Sequence, residues 1–196
     1  MAQPIFNEDW CSDLNQVELM KGLLRQTLPL EGLIIEIGCW EGKSTYMLAN
    51  AAYPQTLICN DTWLGNIAES KMAGFEHETM RVLKTRDVYS IFNHNMTLLT
   101  KGNYKIVKED CLEWLKTINE PIKFCYIDAS HEYDSVKRTI DLLLPHVVKG
   151  GVLCGDDWLV CPDGWINGDG GVQKAVKDTL PNYYTNGNNL WYWIKE

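Results

Sequence analysis

The sequence is defined first by what it lacks. No run of three Lys or Arg occurs anywhere, and 18 basic against 26 acidic residues leave a net charge of −8. A nucleic-acid binder carries a basic patch or stripe, so a nucleic acid or an anionic membrane is excluded as the expected partner. No apolar stretch approaches the ~18 residues of a membrane span. Residues Met1 to Trp10 have neither a basic segment nor an apolar one, and so do not read as a secretory signal. The seven cysteines (11, 39, 59, 111, 125, 154 and 161) form no C-x-x-C pair, and their number is odd. Several lie inside apolar runs, as Cys125 does within residues 122–127, which is how free thiols are buried in a reducing compartment. A cytoplasmic location is the expectation. There is no internal repeat, no low-complexity tract and no Pro/Ser-rich linker, and 196 residues suit a single domain at ~150 residues each.

What is present is an alternation of short apolar runs with helical periodicity. A helix over about 12–28 starts at a capping box of Asp13 and Gln16 and places Leu14, Val17, Leu24 and Leu28 on one side. Strands are predicted at 33–37, 56–60, 104–107, 122–127 and 151–155. Helices are predicted at 43–52, 81–93, 133–144 and around Val172–Leu180. Residues 183–184 and 190–194, separated by Asn186-Gly187, read as a closing antiparallel hairpin. Strands that are apolar throughout belong to a parallel sheet covered on both faces. The expected fold is therefore α/β, a doubly wound, mostly parallel seven-stranded sheet. Such sheets bind ligands beyond the carboxyl ends of their strands, so residues immediately after strands are the candidates for function.

After the first strand comes Glu36-Ile37-Gly38-Cys39-Trp40-Glu41-Gly42-Lys43-Ser44. A dinucleotide fingerprint needs glycine where Trp40 stands, because the backbone must approach a pyrophosphate. The helix start after Gly42 still offers free N–H groups to an anion such as a carboxylate. Asp61 follows the second strand, where nucleotide-binding units place a ribose acceptor, or else it is a loop residue or cap. Asp110 follows the third strand and either faces an adenine amino group or caps the next helix. Together these positions suggest a nucleoside ligand without a pyrophosphate. Asp128 ends the fourth strand, and Asp156 and Asp157 end the fifth. Three carboxylates on neighbouring strand ends raise one another's pKa or demand a cation, and oxygen-only ligands suit Mg²⁺, Mn²⁺ or Ca²⁺. His131 stands three residues beyond Asp128 and is either a general base or a residue packing at a helix start. His77, His94 and His146 read as surface or packing residues. Trp191 and Trp193 read as core, and Trp63, Trp158 and Trp165 as loop residues available to line a pocket.

The run from Glu36 to Gly42 resembles the first motif of class I S-adenosylmethionine (SAM)-dependent methyltransferases. Asp61-Thr62-Trp63-Leu64-Gly65, the block Ile127 to Tyr133 and the segment from Gly150-Gly151 to Asp156-Asp157 are similar to the branch of macrocin-type sugar O-methyltransferases. The resemblance covers about residues 32–180 and implies a Rossmann-like methyltransferase fold. It implies that Glu36, Gly38, Trp40, Gly42 and Ser44 surround the methionine end of SAM, Asp61 the ribose and Asp110 the adenine, with Asp128 also near the cofactor. It further implies Asp128, Asp156 and Asp157 as Mg²⁺ ligands, with His131 and Asp128 as the catalytic pair. Catechol-type enzymes have Asn where Asp157 stands, and many members of the branch have His where Asp156 stands.

The expected activity is a divalent-metal-assisted O-methyl transfer to a small hydroxylated acceptor, a sugar or another natural product. A metal-using hydroxylase of the related antibiotic-hydroxylase type and a non-catalytic nucleoside-binding module are the alternatives; retained carboxylates argue against the latter. The sequence leaves a homo-oligomer open. The long connection from about 62 to 103 is expected to form a lid or acceptor-recognition insertion. Deleting 66–100 is expected to abolish turnover and spare cofactor binding.

Overall fold

A computed structural model of the chain describes residues 2–7, 14–67, 76–158 and 171–196. In chain order the elements are α1 (Leu14–Thr27), β1 (Leu33–Ile37), α2 (Lys43–Ala52), β2 (Leu57–Asn60), α3 (Glu78–Leu83), α4 (Val88–Leu99), β3 (Tyr104–Val107), α5 (Cys111–Trp114), β4 (Ile122–Ile127), α6 (Tyr133–Leu143), β5 (Val147–Gly155), α7 (Gly171–Thr179), β6 (Tyr184–Thr185) and β7 (Trp191–Ile194). One seven-stranded sheet runs in the order β3-β2-β1-β4-β5-β7-β6. The pairs among β1 to β5 are parallel, and β7 is antiparallel to both β5 and β6. This is the doubly wound sheet with a closing hairpin expected from the apolar strand pattern. No helix among the described residues is long and apolar enough to cross a membrane.

Successive strand residues point to opposite faces, and both faces are covered. Ile34, Phe124 and Val152 pack with Leu24, Leu48, Phe92 and Met96 from α1, α2 and α4. Ile35, Cys125 and Leu153 pack on the other side with Ile140, Leu143, Val172 and Val176 from α6 and α7. Cys39, Cys59, Cys125 and Cys154 are buried free thiols, as the apolar runs around them suggest.

Between β2 and β3 the sequence pattern misleads. One helix over 81–93 is expected, but two form, because Asp87 caps α4 by accepting from the Ser90 amide at 3.0 Å and its hydroxyl at 2.7 Å. Val88, Phe92 and Met96 then recur at four-residue spacing and are fully buried. The second half of this connection is therefore core, and removing 66–100 would strip out three buried side chains as well as any lid. Truncating Phe92 alone to Ala would cost about 3–5 kcal/mol. Only residues 62–67 and 76–83 remain as described candidates for an acceptor wall. Asp13, Met72 and Phe75 lie outside the described residues, as do Trp165, Cys11 and Cys161.

Candidate active site

The ladder of the sheet sets the site. Four of the candidate residues immediately follow a strand, with the amide bonded to the last carbonyl of the neighbouring strand. Gly38 N–H donates to Asn60 O at 2.9 Å, Asp61 N–H to Val107 O at 3.2 Å, Asp128 N–H to Ile37 O at 2.8 Å and Asp156 N–H to Ile127 O at 3.1 Å. The strand order reverses between β1 and β4, and a cleft of about 1340 Å³ opens there at the carboxyl ends. Gly38, Trp40, Ser44, Asp61, Asp110 and Asp128 all face it, as do His131, Asp156 and Asp157.

The turn after β1 is built around its glycines. Gly38 has φ +89°, and a Cβ added there would lie 1.9 Å from the Asp128 carbonyl oxygen. Only glycine lets the β1 and β4 ends approach this closely. Gly42 (φ +84°) ends the turn at the start of α2, and Trp40 between them also has positive φ, at 46°. Asp61 braces this turn: Oδ2 accepts from the Cys39 and Trp40 amides at 2.8 Å each, and Oδ1 accepts from the Trp63 amide at 2.7 Å. Burial lifts the Asp61 carboxyl above its usual pKa, and the three amides pull the other way.

Glu36 is fully buried in β1 and does not face the cleft. Its Oε1 accepts from the Ser44 hydroxyl at 2.5 Å, while Oε2 has no hydrogen-bond partner. Burial pushes this carboxyl up to about 7, against the opposing hydroxyl bond. Glu36 therefore acts on the site through Ser44 rather than by contact. Asp110 caps α5, its Oδ1 accepting from the Leu112 and Glu113 amides at 2.9 and 3.3 Å.

The carboxylates after β4 and β5 are arranged differently. Asp128 is half-buried beside Asp156 and Asp157, and desolvation followed by those two charges raises it well above the carboxylate range. Asp157 (φ 63°) is turned so that Oδ2 meets His131 Nε2. Asp128, His131 and Asp157 each bring one donor atom within 4.8 Å of the others'. Asp156 also lines the cleft, but its oxygens are taken by the protein: Oδ1 accepts from Gln16 Nε2 at 2.7 Å and the Asp157 amide at 2.9 Å, and Oδ2 from the Tyr126 hydroxyl at 3.4 Å. Burial and the Asp157 charge raise it to about 6. Of the three expected metal ligands, the geometry thus gathers two, and it adds His131. Two carboxylate oxygens and an imidazole nitrogen fit a divalent cation that accepts mixed ligands, such as Mn²⁺, at least as well as Mg²⁺.

Two expectations need correction. Trp63 and Trp158 do not line the cleft. Trp63 is buried against Tyr89 and Phe92 and donates to the Trp40 carbonyl at 2.8 Å, while Trp158 packs on Tyr183. An aromatic after a strand found its apolar surface in the core first. His77, expected as a surface or packing residue, lines the cleft, its ring centroid 6.4 Å from that of His131. No spacing in the sequence pairs the two, because a connection of uncertain path separates them.

The fold, the glycine turn and the acidic strand ends define a class I SAM-dependent methyltransferase. The chain belongs to the family of the methyltransferase domain, whose model matches residues 35–158, well over half of its length. SAM is its cofactor and methyl transfer its activity. Among solved structures it is similar to the O-methyltransferase NovP, with 18% identity, TM-score 0.65, and 93% of this chain and 80% of that one covered. It is also similar to the O-methyltransferase TomG from Streptomyces achromogenes in complex with SAM (14%, TM-score 0.66, 96% and 83%). An rRNA methylase from Streptococcus thermophilus shares the fold too (12%, TM-score 0.60, 92% and 96%), so the fold alone does not choose the acceptor. A search of curated proteins finds no match.

Proposed function

We propose that this protein transfers the SAM methyl group to a hydroxyl oxygen of a small acceptor, a sugar or similar natural product, with a divalent cation assisting. The observation that carries the proposal is the pairing of His131 with Asp157 beside Asp128, in the same cleft as the glycine turn. The net charge of −8 disfavours the nucleic-acid acceptors that the shared fold would also permit. The metal-using hydroxylase has no observation of its own in its favour.

In this reading Gly38, Trp40 and Ser44, which line the cleft, would hold the methionine end of SAM, and the start of α2 would take its carboxylate. Gly42 shapes the turn against Phe92 and Met96. The ribose lies by Asp61 and the adenine by Asp110. The acceptor oxygen attacks the methyl carbon in line, the carbon–sulfur bond breaks, and its electron pair stays on the sulfur. The hydroxyl proton passes to the His131 ring, which Asp157 orients and stabilises when charged. Asp128 and Asp157 would hold the cation, which leaves the His131 ring to take the proton rather than to serve as a third ligand. A cation held there supplies Lewis acidity that lowers the pKa of the acceptor hydroxyl. Positioning two reactants in attack geometry provides much of the remaining acceleration.

The test begins with thermal shift: SAM at 100 times its dissociation constant should add ~2.7 kcal/mol of stability, and NAD none. Mass spectrometry of a panel of sugars and phenols incubated with SAM should then show one added methyl on oxygen. Methylation of nitrogen or carbon alone would refute the proposal.

A further inference from the structure

The loop after β2 is fastened to α3, and the two form one wall of the cleft. The Asn66 amide donates to Thr79 Oγ1 at 2.9 Å. Gly65 packs so closely that a Cβ added there would meet Thr79, Met80 and Leu83 at 3.0 Å each. Within the loop the Leu64 amide donates to Thr62 Oγ1 at 3.2 Å, and the Ile67 amide to Gly65 O at 3.0 Å. The backbone is thus held, yet Leu64 is 58% and Ile67 39% exposed. Of the large apolar side chains left exposed among the described residues, these two alone line the cleft. A single exposed leucine needs no explanation, but two on a fastened wall of a concave site mark a surface that suits an apolar ligand.

Arg81 stands on the same wall, exposed and lining the cleft. Its amide donates to His77 O at 3.3 Å, so it lies one helical turn, ~5.4 Å, beyond the residue whose ring neighbours His131. Among the described residues no ion pair or side-chain hydrogen bond engages its guanidinium, not even from Glu78, exposed on the same wall three residues earlier. Glu76 is taken by Lys84 at 2.7 Å, and Lys108, another cation of the cleft, lies over the Tyr89 ring at 3.9 Å. Asp128, Asp156 and Asp157 belong to the opposite side of the cleft. An anionic group on the acceptor is repelled from that side and drawn to Arg81.

We propose that the acceptor is a hydroxylated aromatic acid, its carboxylate on Arg81, its ring on Leu64 and Ile67, and its hydroxyl toward His131. This inference rests on the O-methyl reading above and narrows its acceptor. A ring with substituents at opposite ends bridges the turn of helix that separates Arg81 from His77, and a guanidinium fork matches a carboxylate. A bare sugar would press its hydroxyls on two apolar side chains and lose their bonds to water.

The test uses acceptors that share a ring and differ in charge: 4-hydroxybenzoate and 3-(4-hydroxyphenyl)propionate, their methyl esters, and tyramine, with methyl glucoside as the sugar. The wild type should methylate the phenolic oxygen of an acid with kcat/KM about tenfold above its ester, and tyramine least of the aromatics. Arg81→Gln should raise the KM for the acid about tenfold, leaving the ester, kcat and the KM for SAM unchanged. Arg81→Glu should invert the order of acid and tyramine, which a merely structural role would not do. Leu64→Ala should raise the KM of acid, ester and amine alike, by several-fold. Calorimetry of the same compounds on protein saturated with S-adenosylhomocysteine should give the same ranking without turnover. Acids no better than their esters, an unchanged preference in Arg81→Gln, or methylation confined to the glucoside overturns the inference and leaves the O-methyl reading untouched. Acids bound in the Arg81-dependent order but never methylated on oxygen overturn the O-methyl reading instead. A wild type that neither binds nor methylates any of the panel overturns the two together.

Discussion

Asp61 and Asp128 occupy matching places, each the first residue past a parallel strand at the carboxyl edge of one sheet. Their surroundings differ. Asp61 is half-buried and answered: three backbone amides converge on its carboxylate. Asp128 is half-buried among like charges, and desolvation with its two acidic neighbours lifts its pKa far more. The cofactor half of the cleft thus answers its strand-end carboxylate with backbone amides, whereas the acceptor half sets three carboxylates side by side and pairs one of them with an imidazole. A preorganised turn suits a cofactor that always binds in one way. Clustered carboxylates with an imidazole suit a cation and a proton transfer, so the proposed reading puts the chemistry on the β4–β5 side.

The comparison breaks first, and by most, at His131. His131→Ala should lower kcat by ~10²–10⁴, recovering in part at high pH as the acceptor ionises unaided. The dissociation constant for SAM, read by calorimetry, should stay within a few-fold. Asp157→Ala should behave alike, and EDTA should reduce wild-type turnover until Mn²⁺ or Mg²⁺ is restored. Turnover indifferent to EDTA would leave the His131–Asp157 pair as the whole catalytic apparatus. A large loss of SAM affinity in His131→Ala would erase the division between the halves.

The next effect belongs to pH and to Glu36. Its carboxyl has an ordinary pKa of 4.5 unfolded and about 7 folded, so between those values the folded state holds the extra proton. Stability therefore falls as pH rises through that window, by about 3 kcal/mol from this one group. Glu36→Gln stays neutral and should lose this component. The difference between wild type and variant in urea-unfolding free energy should narrow or reverse from pH 5 to pH 8. Parallel pH profiles would mean that Glu36 is charged in the fold.

How far the sequence foretold this division depends on range. The edges of β1, α2, β3 and β4 were legible to the residue, because apolar runs bounded by glycine or charge leave little choice of boundary. The acidic residues after strands were legible as a set, since a parallel sheet brings all its carboxyl ends to one edge. Their individual environments were not. That Asp156 turns to Gln16, 140 residues away in α1, depends on how a helix docks. That His77 reaches His131 depends on the path of the connection after β2. Trp63 was misread for the same reason, since a loop position does not say which way a large ring folds back.

A smaller loss is expected at Asp61. Asp61→Ala leaves three amides without their acceptor in a turn that must meet the cofactor, costing about 1–3 kcal/mol of SAM affinity. Asp61→Asn keeps one acceptor oxygen and should lose less. In both variants kcat at saturating SAM should stay near the wild-type value, since nothing at the β4–β5 side is touched. A collapse of kcat with affinity intact would place Asp61 on the catalytic side and invert the comparison.

The smallest effect tests whether the cofactor turn is held from outside as well as from within. Glu41, 3% exposed, lies in that turn, and its Oε1 accepts from Arg86 Nε at 2.9 Å while Oε2 accepts from the Asn7 amide at 2.6 Å. Its carbonyl accepts from Asn95 Nδ2 at 2.8 Å, and Asn95 also bonds both backbone groups of Ile5, at 2.8 and 2.6 Å. The turn is thus tied to α4 and to the N-terminal segment together. The Arg86 side chain is one-third exposed, so its ion pair is partly screened, and Arg86→Gln should cost only about 1 kcal/mol. Replacement of Glu41 itself should cost more, since it is buried and unties the Asn7 amide as well. Because the tie reaches the turn and not Asp128, the loss in Arg86→Gln should appear as a KM for SAM raised several-fold at constant kcat. An equal change in KM for the acceptor would mean that the tie serves both halves of the cleft, and that the boundary between them lies nearer to β5 than the contrast of Asp61 with Asp128 implies.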